Sequence, residues 1–318
     1  MSPFHLPGGT ETRTGPIPQG SWRESDSMGT SETGALALSG AELYYEIRGA
    51  GPTLLIVPSG NGDAAPFTPL AETLADRYTV ITYDRRGFSR SPVHGPVHDE
   101  HRLKTDAQDI VELLTHLGQR PARVFGSSSG AIIALALLEL YPRAVHTLIA
   151  HEPPLSSVLP DAQRWAAFHD ELYEIFRARG VDEAKRVFRA AMGMDEATRP
   201  PKRTQPPPRE LSRMLDRIQR NHAFWFEHEL RTYPAFEPNL TLLREHRDRL
   251  VLAGSRTGAR QFPYLPNQEL SRRVGIGIRH LPGGHVGYVT HPAEFSEELA
   301  EVLLEKETDS ETSPAEPG

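Results

Sequence analysis

Ser128 lies at the centre of Gly126-Ser127-Ser128-Ser129-Gly130, a segment with the spacing of a G-x-S-x-G motif. A segment of this composition is also typical of a flexible linker. Here, however, the apolar run ARVF precedes it and AIIALALLELY follows it, which predicts a strand before the serine and a helix after it. At such a turn, small flanking residues let the central serine adopt a strained backbone conformation and project its hydroxyl above the sheet. We therefore predict that Ser128 is a nucleophile.

His285 is the predicted base for this serine. A serine hydroxyl is a poor nucleophile unless a base within hydrogen-bonding reach takes its proton, and imidazole titrates near neutral pH. His285 lies in LPGGHVGY, directly after a late predicted strand and before the last predicted helix. This position places it at the same edge of the sheet as Ser128 and gives the chain order of serine before histidine.

Two backbone N–H groups are predicted to bind the oxyanion that forms when the serine attacks a carbonyl. The N–H of Ser129 lies at a predicted helix N-terminus, where the helix dipole favours negative charge. The second donor is predicted at Gly60, in the loop Pro58-Ser59-Gly60-Asn61-Gly62 after the apolar segment TLLIVP. Small residues would let this loop approach a substrate oxygen closely, although the same composition is typical of an ordinary turn. We also expect Asn61 to contact the substrate.

Strand-like and helix-like segments that must position these residues alternate along the chain. Such alternation predicts a parallel sheet covered by helices, after an initial hairpin. The predicted strands lie at 35–38, 42–47, 53–58, 78–84, 123–125, 146–151, 250–253 and 276–281.

Between residues 155 and 246 the strand signal disappears, and the segments are helical and rich in charged and aromatic residues. We predict an inserted helical domain there, within a core formed by 34–154 and 247–305. Aromatic residues at helical spacing usually form core. For Trp225, in this insertion, we instead predict a role in substrate binding.

The two ends of the chain, 1–33 and 306–318, are rich in polar residues and proline, and we predict that both are flexible tails. The first of them lacks the apolar segment of a secretory signal, so the expected location is cytoplasmic. His98 and His101 lie near a predicted helix start, where histidine and acidic residues are more typical of a surface arrangement than of a metal site.

The overall composition excludes several classes of protein. The 318 residues carry a formal charge of −7, which argues against the concentrated basic face of a nucleic-acid binder. Cysteine is absent, which excludes disulfides, thiolate metal sites and a cysteine nucleophile. The longest apolar stretch, Ala131 to Leu138, is too short to span a membrane. We expect a small-molecule substrate and no nucleic acid or membrane partner, and the sequence leaves a homodimer open.

In combination, these motifs resemble those of the α/β-hydrolase superfamily over about residues 34–305. Ser128 and His285 match the nucleophile and base, and Gly60 matches the oxyanion loop, although Pro58 stands where relatives often have histidine. The segment 84–91 looks like the D-x-R-G-x-G-x-S turn, which in relatives mainly organises the core. The resemblance implies an α/β-hydrolase fold, with a mostly parallel central sheet and an inserted all-helical cap, and no cofactor.

The acid of the catalytic triad is missing from the position where relatives most often carry it. The turn 254–260 after the seventh strand has no carboxylate, and Asp248 precedes that strand at the wrong edge of the sheet. Some members of the superfamily place the acid at the end of strand six, where this chain has Glu152. We predict that Glu152 accepts the Nδ1–H of His285. The alternative is a structural glutamate that caps a loop or pairs with an arginine.

The function that the resemblance implies is that of a serine hydrolase, which cleaves an ester, lactone or similar activated carbonyl through an acyl-enzyme. C–C bond hydrolysis and cofactor-free haloperoxidase-like chemistry are alternatives within the superfamily. A non-catalytic ligand-binding or biosynthetic accessory protein of the same fold is a further alternative, because fold alone does not choose among them. The Ser128 and His285 pair favours an enzyme, and the missing conventional acid favours the binding protein.

Overall fold

A sheet of eight strands forms the centre of the computed structural model, which describes residues 31–194 and 201–312. The strands are β1 (Glu32–Leu38), β2 (Ala41–Arg48), β3 (Thr53–Val57), β4 (Thr79–Tyr83), β5 (Ala122–Ser127), β6 (Val145–His151), β7 (Leu250–Ser255) and β8 (Ile278–Leu281). Their order is β1-β2-β4-β3-β5-β6-β7-β8. The β1–β2 and β2–β4 pairs are antiparallel, and the other five pairs are parallel. This arrangement confirms the predicted fold class.

Helices cover both faces of the sheet. The α-helices of the described residues are α1 (Thr68–Leu74), α2 (Asp99–His116), α3 (Ser129–Leu140), α4 (Ala162–Arg179), α5 (Val181–Met192), α6 (Pro208–His228), α7 (Leu240–Glu245), α8 (Tyr264–Val274), α9 (Gly287–Thr290) and α10 (Pro292–Thr312). Residues of α2, α3, α7 and α8 share one apolar cluster with the sheet, and residues of α1 and α10 share the other. Since both faces are covered, central strands such as β3 are buried along their whole length.

Helices α4, α5 and α6 follow β6 and precede β7, and we call them the inserted helices. They pack around an apolar cluster of their own, which contains Leu172, Ala184, Phe226 and Leu230. Helix α7 differs, because its Leu243 belongs to the cluster beside the sheet. The division of the chain into a core and a cap at 155 and 246 stays a prediction.

The predicted C-terminal tail is wrong for its first residues, because α10 continues to Thr312. The carboxylate of Glu307 pairs with the guanidinium of Arg123 on β5 at 2.5 Å, and Lys306 donates a hydrogen bond to the Asp248 carbonyl. These contacts attach residues 306 and 307 to the core, although their sequence is polar and predicts no such attachment. At the other end, β1 begins at Glu32, two residues inside the predicted tail. The rest of both tails lies outside the described residues. No helix in the described part of the chain is long and apolar enough to span a membrane.

Four buried charged side chains connect the inserted helices to the core. Glu229, directly after α6, accepts hydrogen bonds from Arg85 Nη2 at 2.5 Å and from Arg102 at 3.1 Å. Arg85 also donates to Asp106 at 3.0 Å. All four side chains are at most 2% exposed. Arg85 belongs to the turn 84–91, so this turn holds the inserted helices as well as the core.

Replacing Glu229 by Gln should lower the free energy of unfolding by about 3–5 kcal/mol, because two buried guanidinium groups then lose their shared counter-charge. Urea denaturation measures this value. The matched control is Glu227→Gln on α6, which removes an exposed ion pair with Arg177 and should leave stability nearly unchanged. Equal stability of the two variants would show that the buried cluster does not hold the inserted helices.

Candidate active site

Ser128 occupies the junction between β5 and α3 in a strained conformation. Its φ is 55° and its ψ is −123°, which L-residues rarely adopt and which costs about 1–3 kcal/mol. Two contacts hold the backbone there: the Ser128 N–H donates to the His151 carbonyl at 2.9 Å, and its carbonyl accepts from the Ala131 N–H at 2.9 Å. The predicted strand-to-helix turn is therefore present, with the serine at its apex.

The flanking glycines are required by close backbone contacts. A Cβ atom at Gly126 would lie 2.4 Å from the carbonyl oxygen of Gly130. A Cβ atom at Gly130 would lie 2.3 Å from the carbonyl oxygen of Val57 and 2.5 Å from that of Pro58. Strand β3, helix α3 and the serine turn can approach each other only because both side chains are absent.

Glu152 and His285 form a hydrogen-bonded pair. Glu152 directly follows β6 and His285 lies in the loop after β8, and the distance from His285 Nδ1 to Glu152 Oε2 is 2.7 Å. The other carboxylate oxygen accepts the backbone N–H of Ser255 at 2.7 Å. Ser255 belongs to the turn 254–260, which has no carboxylate of its own. It instead donates a hydrogen bond to Glu152 at the end of the neighbouring strand β6.

Electrostatics fix the direction of this hydrogen bond. Burial would raise the pKa of Glu152, but the hydrogen bonds from His285 and Ser255 lower it to about 2. At neutral pH Glu152 is therefore a carboxylate that only accepts, and Nδ1 of His285 carries the proton. The His285 Nε2 atom is then left as an acceptor, which is the tautomer that a general base needs.

His151, the last residue of β6, lies beside this pair and was not predicted from the sequence. Its ring is fully buried, with its centroid 6.2 Å from that of His285 and the two planes 21° apart. Burial lowers the pKa of His151 to about 4, so the ring is neutral at pH 7. Its Nδ1 lies 3.2 Å from Ser127 Oγ. Because these side chains meet only across the folded sheet, sequence spacing gives no signal for them.

A cavity of about 990 Å³ is lined by all the residues that the sequence predicts for the site except Glu152, which is buried. The residues of the sequence prediction that line it are Ser128, Ser129, His285, Gly60, Asn61 and Trp225. Trp225 comes from α6, and its Nε1–H donates to Ser129 Oγ at 3.3 Å. A Cβ atom at Gly60 would lie 2.8 Å from Trp225 Nε1. The indole therefore closes over the two predicted oxyanion donors.

Asp248 is not part of this arrangement. Its side chain is 72% exposed beside Arg249, at the start of β7 and away from the cavity. His98 and His101 begin α2, and among the described residues no group of three or more His, Cys, Asp or Glu side chains is arranged to hold a metal ion.

Comparisons with known proteins identify the family. A family model described as the alpha/beta hydrolase fold matches residues 52–199. A protein of Bacillus subtilis (strain 168), named as the uncharacterized hydrolase YraK, is 33% identical over 284 residues, which are 87% of this chain and 98% of that protein. The chain belongs to the α/β-hydrolase superfamily. It is a hydrolase, as its sequence predicted.

Other proteins are similar to this chain at lower sequence identity. A zearalenone hydrolase from Bionectria ochroleuca is 28% identical over 269 residues, covering 83% of this chain and 94% of that enzyme. Among solved structures, a thermophilic esterase from Thermogutta terrifontis has a TM-score of 0.65 at 19% identity, covering 88% of this chain and 99% of that one. The enol-lactonase from Burkholderia xenovorans LB400 has a TM-score of 0.62 at 17% identity, covering 85% and 100%. The two structural similarities show the fold.

Replacing Gly130 by Ala should lower the free energy of unfolding by about 1–3 kcal/mol, because the new methyl group collides with the backbone of β3 and its following loop. The sign of this change in unfolding free energy is informative, because in an unhindered helix alanine is favoured over glycine by about 1 kcal/mol. Gly277→Ala is the control, because nothing lies within 4 Å of a Cβ atom at Gly277. Urea denaturation that ranks Gly130→Ala as stable as Gly277→Ala would contradict the close packing described.

Proposed function

We propose that the protein is a serine hydrolase that cleaves an ester, lactone or similar activated carbonyl through an acyl-enzyme. One observation carries the proposal: His285, hydrogen-bonded to the Glu152 carboxylate at 2.7 Å, lines the same cavity as Ser128, which occupies a strained turn. Nucleophile, base and orienting acid are the three parts that such a reaction requires.

In the proposed first step, Ser128 Oγ attacks the substrate carbonyl carbon while His285 Nε2 takes the hydroxyl proton. The imidazolium that forms is stabilised by the carboxylate of Glu152, which is ionised because its pKa is about 2. The carbonyl oxygen becomes an oxyanion, held by the backbone N–H groups of Ser129 and Gly60. The N–H of Ser129 is available because it belongs to the first turn of α3, which has no intrahelical acceptor for it.

In the second step the tetrahedral intermediate collapses, and His285 gives its proton to the leaving alkoxide. Water then attacks the acyl-enzyme, with His285 again taking a proton, and Ser128 is released with a carboxylic acid product. For a lactone, acid and alcohol remain in one molecule. Every bond change is accounted for by ester, water and these side chains, so the proposed reaction needs no cofactor.

The neutral ring of His151 supports this arrangement. Its pKa of about 4 keeps it uncharged at working pH, so it adds no positive charge against the His285 imidazolium. Its ring lies nearly parallel to that of His285, with the centroids 6.2 Å apart, and fills the buried space beside the His285 and Glu152 pair. In this proposal His151 is a positioning residue.

The cavity and the relatives support a carbonyl substrate of moderate size. Asn61 lines the cavity, and its own carbonyl is fixed by a hydrogen bond from Asn221 of α6 at 2.7 Å. We propose that Asn61 and Trp225 contact the substrate, since both lie beside the oxyanion donors. The names of the zearalenone hydrolases among the relatives support hydrolysis of a small organic molecule.

A fluorophosphonate probe should label one serine, because attack of the activated Oγ on phosphorus displaces fluoride and leaves a stable adduct. We expect the label at Ser128 and its loss in Ser128→Ala. Ser212→Ala, which removes an exposed serine of α6, is the control and should label like the wild type. Peptide mass spectrometry locates the adduct. Persistent labelling of Ser128→Ala would reject Ser128 as the nucleophile.

A further inference from the structure

Helices α5 and α6 contact each other through regularly spaced pairs of side chains. Each pair is three residues further along both helices than the one before, so equivalent positions stay on the facing surfaces. The pairs are Asp182 with Gln219, Lys185 with His222, and Phe188 with Trp225.

These pairs run from the outside of the molecule toward the nucleophile. Phe188 and Trp225 form the inner pair, with ring centroids 5.2 Å apart. Trp225 donates a hydrogen bond to Ser129, the residue after Ser128. At a rise of about 1.5 Å per residue, Lys185 and His222 lie about 4.5 Å further out along the helices. Both also line the cavity, so an elongated molecule held at Ser128 reaches them past the indole.

The Lys185 and His222 pair presents hydrogen-bond donors to the cavity. Lys185 Nζ lies 3.3 Å from His222 Nδ1. Burial and the nearby lysine lower the pKa of His222 to about 4, so the ring is neutral and its Nδ1 accepts from the ammonium group. The His222 proton is then on Nε2, and Lys185 keeps further N–H groups. A ligand at this pair therefore meets only donors and one positive charge.

The cavity wall at this place carries positively charged side chains, Lys185 and Arg189. Burial lowers the pKa of Lys185, the carboxylate of Asp182 in the outer pair raises it, and Arg189, which also lines the cavity, lowers it. Asp182 lies in the outer pair, further along the helices from Ser128, where it accepts from Gln219, and the carboxylate of Glu183 is paired with Arg186. None of the described residues that line the cavity is Asp or Glu.

We propose that Lys185 and His222 form an anion subsite, and that the substrate is an ester or lactone carrying a carboxylate that binds there while its carbonyl lies at Ser128. A carboxylate is the complementary ligand because it only accepts hydrogen bonds and carries one negative charge. The segment between carbonyl and carboxylate lies against the apolar side chains of Phe188, Met192 and Trp225. This inference rests on the proposed function, because it takes the reacting carbonyl to be at Ser128.

The test compares mono-p-nitrophenyl adipate with p-nitrophenyl hexanoate, two esters of equal acyl chain length of which only the first carries a carboxylate. We expect Lys185→Met to lower the ratio of their kcat/KM values, anionic over neutral, at least tenfold. This ratio comes from one preparation, so partial loss of folded protein does not change it. Arg186→Met is the matched control, with the same change on the exposed side of α5, and should keep the wild-type ratio.

A binding measurement makes the result independent of turnover. Monomethyl adipate is titrated into Ser128→Ala by calorimetry, with and without Lys185→Met, and methyl hexanoate is the neutral match. We expect the second substitution to weaken binding of the anionic ester at least tenfold. Unchanged rate ratio and unchanged binding would overturn the subsite while ester hydrolysis stands. If binding depends on Lys185 but neither ester is hydrolysed and no serine is labelled by the fluorophosphonate, the serine hydrolase is rejected and the anion subsite is retained.

Discussion

The hydrogen bond between His285 and Glu152 joins parts of the chain that lie 133 residues apart. Glu152 follows β6, takes a second hydrogen bond from Ser255 at the end of β7, and meets His285 after β8. One carboxylate therefore connects the carboxyl ends of three neighbouring strands. Its side chain is 1% exposed, and a buried carboxylate is tolerated only because these donors replace water. Glu152 also has a φ of 48°, so the fold accepts local strain to direct this side chain at the histidine.

The same position connects the inserted helices with the residues proposed to be catalytic. The chain leaves the sheet at Glu152, ten residues before α4 begins at Ala162, so the proposed acid and the inserted helices follow the same strand. At its far end, the insertion is held by Glu229 and its two buried arginines. Between these anchors α5 and α6 bring Trp225 over the predicted oxyanion donors and place Lys185 one helical turn further out. The proposed reaction centre therefore lies at the edge of the sheet, and the proposed binding surface lies on the helices.

Much of the fold and the site could be predicted from sequence because the signals are local. Apolar runs on both sides of Ser128 indicated the turn, and Glu152 was predicted because the resemblance to the superfamily offers the end of strand six as a second place for the acid when the turn 254–260 lacks a carboxylate. The rest depends on contacts between distant elements. The contact between Lys185 and His222 depends on how α5 and α6 are rotated relative to each other. The periodicity within either helix does not give this rotation. The end of α10 is likewise held by the ion pair between Glu307 and Arg123, and the polar C-terminal sequence does not indicate this distant partner.

The kcat of Glu152→Gln on p-nitrophenyl acetate tests the central claim most directly. Glutamine keeps the shape of the side chain but removes the charge that stabilises the imidazolium and fixes the tautomer of His285. Comparable changes of a triad acid lower kcat by up to about ten-thousandfold, and we expect a loss of at least about a hundredfold here. Asp248→Asn, at the exposed start of β7, is the control and should match the wild type. A kcat of Glu152→Gln within about threefold of the wild type, or about 0.7 kcal/mol, would contradict the account.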